Sequence, residues 1–68
     1  MQFFERLRQI RKEAGETQVQ TAKAIQMTER QYQNLEAGDS LPGFENLLAL
    51  ADHFHVSLDY LTGRTDQR

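Results

Sequence analysis

The sequence predicts an all-α domain of five short helices. Three observations predict it: apolar residues recur at helical spacing, no window alternates apolar with polar residues as a half-buried strand would, and glycines with one proline cut the chain into helix-sized pieces. At 68 residues there is room for one domain with one apolar core. The chain has no cysteine, so neither a disulfide nor a thiolate metal site can reinforce that core, and packing must supply the stability.

In the first segment Phe3, Leu7, Ile10 and Ala14 fall at i, i+4, i+7 and i+11, one stripe of a helix that Gly15 can end in a left-handed conformation. The next stretch, TQVQTAKAIQMTERQ, writes Thr-x-x-Gln twice, at Thr17–Gln20 and Thr28–Gln31. A threonine hydroxyl at an N-cap accepts from the amide three residues on, while the glutamine there reaches back to the cap amide, so each copy starts a helix. The second helix is expected from Gln18 to about Gln26, burying Ala22 and Ile25; the third runs from Glu29 to about Ala37, burying Tyr32 and Leu35 before Gly38 stops it. Little chain is left between them, so the two meet at a tight corner. Beyond Pro42 and Gly43, a wide apolar face of Phe44, Leu47, Leu48, Leu50, Ala51 and Phe54 marks a fourth helix. Ser57 caps a short fifth helix with Leu58 and Leu61, closed by Gly63, and the polar tail RTDQR is expected to fray.

The formal charge is −2, which argues against an indiscriminate nucleic-acid binder. Its distribution is uneven: residues 1–34 carry six basic and four acidic side chains, a surplus of +2, whereas residues 35–68 carry two and six, a balance of −4. An anionic partner is therefore expected at the N-terminal half. Apolar runs are too short to span a bilayer, and the start, MQFFERLRQIRK, lacks an apolar secretory segment, so a cytoplasmic location and no membrane partner are expected. Catalysis finds no support. His53 and His55 are two apart and cannot form an i, i+4 metal pair; Ser57, His55 and Asp59 are spent on a cap, a turn and a helix start. No catalytic residue, metal, cofactor or small-molecule ligand is expected, and His53 reads as a surface histidine.

Two short helices at a tight corner, second and third of five, make the helix-turn-helix arrangement. RLRQIRKEAGETQVQTAKAIQMTERQYQNLEAG followed by LPGFENLLALADHFHVSLDYLTG resembles the Cro/Xre-type (phage-repressor-like) DNA-binding domain over residues 5–63. The features that coincide are the Thr17-Gln18 helix start, Ala22 at the crossing, Leu35-Glu36 with Gly38, Pro42, and the VSLDYL close. The resemblance implies a compact five-helix lambda-repressor-like domain over residues 1–63, followed by a polar C-terminal tail at 64–68. It further implies that the third helix enters the major groove of double-stranded DNA.

With Tyr32 and Leu35 inward, the opposite face at 100° per residue is Arg30, Gln33, Asn34 and Ala37, with Glu29 on the flank. Arg30 suits guanine O6 and N7, Asn34 or Gln33 suits adenine N6 and N7, and Glu29 suits cytosine N4. The same residues, taken without the motif, would make an ordinary solvated helix face. Gln18 resembles the family glutamine that touches a phosphate and supports the recognition helix. Thr17 sits with it at a partially positive helix start, and Thr28 caps the next one. Gly38 and Ser40, in the AGDS loop, are expected to offer backbone groups to another phosphate. Arg11 and Glu36 resemble a buried ion pair that ties the first helix to the third.

Four residues depart from the family pattern. Glu16 and Thr21 stand where leucines are usual, so packing near the second helix must differ, and Glu16 adds a charge that opposes phosphate binding. Gln26 and His55 stand where glycines are usual, so strain at positive φ is expected. The resemblance implies a transcriptional regulator, more a repressor than an activator, from a bacterium or its phage, acting as a homodimer on a palindrome with half-sites about one helical turn apart. The candidate dimer surfaces are the fifth helix with the loop before it, favoured by the resemblance, then Leu48 and Ala49, and Phe4. A second class of function keeps the fold but turns it against a protein, as in an antitoxin or antirepressor component.

Overall fold

A computed structural model describes all 68 residues as α1 (Phe3–Glu13), α2 (Gln18–Ala24), α3 (Glu29–Ala37), α4 (Phe44–Phe54) and α5 (Leu58–Leu61), with no strand. Both Thr-x-x-Gln signals act as expected. The Gln20 amide donates to Thr17 Oγ1 at 3.1 Å and the Thr17 amide to Gln20 Oε1 at 2.8 Å; at α3 the corresponding Gln31–Thr28 pair is 3.1 Å in both directions. Ser57 Oγ accepts from the Tyr60 amide at the start of α5.

All five helices end in one way. A residue with positive φ follows the last turn, and the next amide reaches back five residues to a carbonyl, as in Glu16→Arg11 (3.2 Å), Met27→Ala22 (2.9 Å), Asp39→Asn34 (3.0 Å), Val56→Ala51 (3.0 Å) and Arg64→Asp59 (2.9 Å). Glycine takes the left-handed position at Gly15, Gly38 and Gly63, whereas Gln26 (φ 60°) and His55 (φ 57°) take it at the ends of α2 and α4. The expected strain is therefore present at both. Because Gln26 turns the chain at once, α2 stops at Ala24 rather than Gln26, and the corner into α3 is tight.

The core gathers Leu7 and Ile10 of α1, Ala22 and Ile25 around α2, Tyr32 and Leu35 of α3, Leu50 and Ala51 of α4, and Tyr60 and Leu61 of α5. Three expected apolar positions lie outside it: Ala14 is exposed as the C-cap of α1, Phe44 is 69% exposed in the first turn of α4, and Leu48, on the same helix, is exposed as well.

The N- and C-terminal segments are joined through Arg6, which is only 2% exposed. Its guanidinium stacks on the Tyr60 ring at 3.9 Å and donates to the Tyr60 carbonyl (3.0 Å), the Thr65 carbonyl (3.2 Å) and Asp66 Oδ1 (3.0 Å). Arg68 lies 5.1 Å from the centre of the same ring and pairs with Glu13. Thr65, Asp66 and Arg68 of the tail reach back to α1, and the first two bring to the buried guanidinium a carbonyl and a carboxylate that it needs.

Candidate nucleic-acid interface

The corner at Gln26 sets α3 across α2 and α1, with Tyr32, Leu35 and Glu36 inward. On the other face Glu29, Arg30, Gln33 and Ala37 are exposed and Asn34 is half-buried. Gln33 Nε2 donates to Glu29 Oε2 at 3.0 Å, an i, i+4 bond that holds these two side chains together. Arg30 has no carboxylate partner, so its full charge faces outward. The base-reading candidates therefore share one accessible face, with Asn34 at its edge.

What fixes α3 in place is the pair read as scaffold. Arg11 Nε and Nη2 meet Glu36 Oε2 and Oε1 at 2.6 and 3.0 Å, a bidentate bridge in which Glu36 is 2% and Arg11 11% exposed. Gln18 Nε2 donates to Glu36 Oε1 at 3.2 Å, so α2 joins the same bridge, and Arg8 Nη2 donates to the Glu36 carbonyl at 2.9 Å, capping the end of α3. Burial acts to raise the Glu36 pKa, but hydrogen bonding from Arg11, helped by Gln18, holds it below the usual carboxylate range. The hydrogen bond to Glu36 raises the Arg11 pKa against the effect of burial. Beside the pair, the Tyr32 hydroxyl is enclosed without a hydrogen bond of good geometry. Desolvation first, and the Glu36 carboxylate second, push its ionisation far above the ordinary phenolic range.

The phosphate-contacting candidates divide. Thr17 and Thr28 are exposed and serve as caps, each hydroxyl oxygen accepting from an amide inside its own helix. The Gln18 side chain is turned toward Glu36, which gives it the supporting part of the role expected of it. The backbone amides of Gly38, Asp39 and Ser40 are already bonded to the carbonyls of Leu35 and Asn34, so the loop presents the exposed Ser40 side chain rather than a row of open amides. Gly38 (φ 80°) also has the Phe4 ring against it, where an added Cβ would come within 3.3 Å of the ring. Phe4 is half-buried there, and Tyr60, on the fifth helix favoured as the dimer surface, belongs to the core at 5% exposure.

Two features were hidden in the sequence. Arg6 shares the apolar stripe Phe3–Leu7–Ile10 by position, three residues after Phe3 and four before Ile10, but its residue type concealed its burial. Glu16, Thr21 and His53 form one polar cluster where two leucines are usual. Thr21 Oγ1 donates to Glu16 Oε1 at 2.7 Å, and His53 Nε2 lies 2.9 Å from both Glu16 oxygens. His53 is thus not the surface histidine expected: its side chain is 26% exposed, with its ring edge against Phe54. Burial would raise the Glu16 pKa, yet the hydrogen bonds from His53 and Thr21 and the His53 charge leave it lowered.

Five helices with α2 and α3 meeting at such a corner define a helix-turn-helix protein. The Helix-turn-helix family profile matches residues 7–61, and the chain belongs to that family, of the Cro/Xre type. Over 64 residues it is 41% identical to the cryptic phage CTXphi transcriptional repressor RstR of Vibrio cholerae serotype O1, covering 94% of this chain and 57% of the relative. Over 66 residues it is 32% identical to the HTH-type transcriptional regulator ImmR of Bacillus subtilis, covering 97% of this chain and 52% of that one. The chain therefore spans little more than half the length of these relatives. A crystal structure of a transcriptional regulator from Listeria innocua superposes with a TM-score of 0.87 at 33% identity, over 98% of this chain and 63% of that one. No helix is long and apolar enough to cross a membrane.

Proposed function

We propose that this chain is a sequence-specific, double-stranded DNA-binding transcriptional regulator, acting as a repressor in the cytoplasm of a bacterium and associated with the nucleoid when bound. The observation that carries the proposal is the α3 face: Arg30 unpaired and outward, Glu29 and Gln33 linked beside it, and Asn34 at the edge, all on a helix locked from behind by Arg11–Glu36 and Gln18. A rigid helix with donors and acceptors on one accessible face suits base edges in a major groove. In this role Glu29, Arg30, Gln33 and Asn34 contact bases, Thr17, Thr28 and Ser40 lie along the phosphates, Gln18 supports α3 from behind, and Gly38 turns the loop that carries Ser40. The regulatory context printed for RstR and ImmR supports it. A homodimer on a palindrome completes it, because one recognition helix covers only a few base pairs and two-fold symmetry doubles the site.

Selection of bound sites from a random duplex pool tests the proposal. The expected result is one enriched palindrome, whose affinity falls with salt at a log–log slope of roughly −0.9 per phosphate contacted. A folded protein that enriches nothing would instead favour the second class, a protein-binding module of the same fold, for which the overall charge of −2 is the motive.

A further inference from the structure

The Glu16–Thr21–His53 cluster lies outside everything assigned to the α3 face, and it occupies the corner from which the helix-turn-helix begins. Glu16 joins α1 to α2. Its carbonyl accepts from Arg11 Nη1 at 2.8 Å, the same guanidinium that holds Glu36, and its carboxylate accepts from Thr21 on α2 and from His53 on α4. One residue thus connects the Arg11–Glu36 bridge to α4.

A carboxylate can only accept, so the shared nitrogen, Nε2, carries a proton whether the imidazole is neutral or charged. The second ring nitrogen takes or loses the titrating proton, and histidine is the side chain whose charge ordinarily changes between pH 5 and 8. Neutral His53 leaves the pair at −1, while charged His53 brings it to zero. The other groups around His53 do not substitute for it. On its own helix Asp52 is exposed, and His55 is exposed in the turn beyond; Thr21 from α2 shares the Glu16 carboxylate and does not ionise, and Glu16 is the charged side chain in contact with the His53 ring.

We propose that Glu16 and His53 are positioning residues that make DNA binding depend on pH, with protonation of His53 cancelling the Glu16 charge and tightening the corner that presents α2 and α3. The proposal rests on the DNA-binding function proposed above. It predicts that affinity for the polyanion rises as pH falls, with a proton taken up on binding. One charge at a distance on the order of the Debye length corresponds to roughly a 1.4-fold gain for each phosphate so placed, or about two-fold for two of them, between pH 8 and pH 6.

The test uses the full chain and the duplex enriched from the pool. Its dissociation constant is measured at fixed ionic strength from about pH 8 down to pH 6, across the ordinary histidine range, for the wild type, His53→Gln, Glu16→Gln and His55→Gln. In parallel, the imidazole signals are followed by NMR with and without DNA. The wild type and His55→Gln are expected to show the gain. His53→Gln, which keeps a donor without the charge, is expected to flatten it, and Glu16→Gln to bind more tightly than wild type at the alkaline end. Proton uptake should appear at His53 on adding DNA. If His53→Gln keeps the wild-type profile, or the wild type binds with no pH dependence, this inference is overturned while the DNA-binding function stands. A folded wild type that binds no duplex at any pH would overturn the DNA-binding function and this coupling together, whatever the His53 titration shows.

Discussion

Glu36→Ala removes the carboxylate on which three elements converge. Arg11 would remain, only 11% exposed, with its Nε and Nη2 donors unanswered, and Gln18 would lose its acceptor. Breaking one side of such a buried pair costs about 3–5 kcal/mol. Against that, stability at roughly 0.05–0.15 kcal/mol per residue gives a domain of this size about 3–10 kcal/mol in all. Glu36→Ala should therefore unfold a large fraction of the protein or lower its Tm by more than about 12 °C, at the roughly 4 °C or more per kcal/mol typical of domains this small. The companion variant Arg11→Met with Glu36→Leu replaces the pair by apolar side chains of similar reach, and it should return to within about 1–2 kcal/mol of wild type, since a well-packed substitute removes the desolvation cost as well as the attraction. Urea denaturation followed by circular dichroism measures both quantities, with Arg11→Met alone and Glu36→Leu alone as the single variants that complete the double-mutant cycle. A single variant within about 0.5 kcal/mol of wild type, or a double variant that loses the sum of the singles, would refute the pair as the lock on α3.

Gln26→Gly should stabilise. Relief of the left-handed backbone is worth about 1–2 kcal/mol against about 0.5–1 kcal/mol of added chain entropy, so a Tm rise of a few degrees is expected, and Gln26→Val should lower it clearly. Tyr32→Phe should be neutral or stabilising by up to about 1 kcal/mol, because its hydroxyl is buried without a good partner; a thermal melt showing a loss greater than that would reveal a real bond to Glu36. Glu16 and Glu36 both have pKa values held below the ordinary 4.5, so each contributes stability that is complete above the unfolded-state value and is lost as pH falls through the lower folded values. Melts below about pH 4 should therefore drop steeply for wild type and less steeply for Glu16→Gln.

Local signals carried most of the fold. The doubled Thr-x-x-Gln is a contact within four residues, so its chemistry is complete in the sequence, and it fixed where α2 and α3 begin. The outward face of α3 followed from Tyr32 and Leu35 by helical geometry alone. Contacts between distant residues were harder to read. Arg6 reaches Tyr60, Thr65 and Asp66 across nearly the whole chain, and Glu16 reaches His53, so neither Arg6 nor His53 shows its burial in its own neighbourhood. Residue type concealed both: Arg6 is buried and His53 half-buried because their polar atoms find partners brought in by other elements. Phe44 misled in the opposite sense, since periodicity marks a face without saying how far along it the core extends.

The central claim is that α3 reads bases through Arg30 and its neighbours. Repeating the pool selection with Arg30→Ala tests it most directly, because Arg30 is exposed and without a carboxylate partner, so its removal leaves the core untouched. The expected result is a melting temperature within about 2 °C of wild type, together with lost preference at one base pair in each half-site, worth about 1–3 kcal/mol. An unchanged site preference from an equally stable variant would contradict the claim.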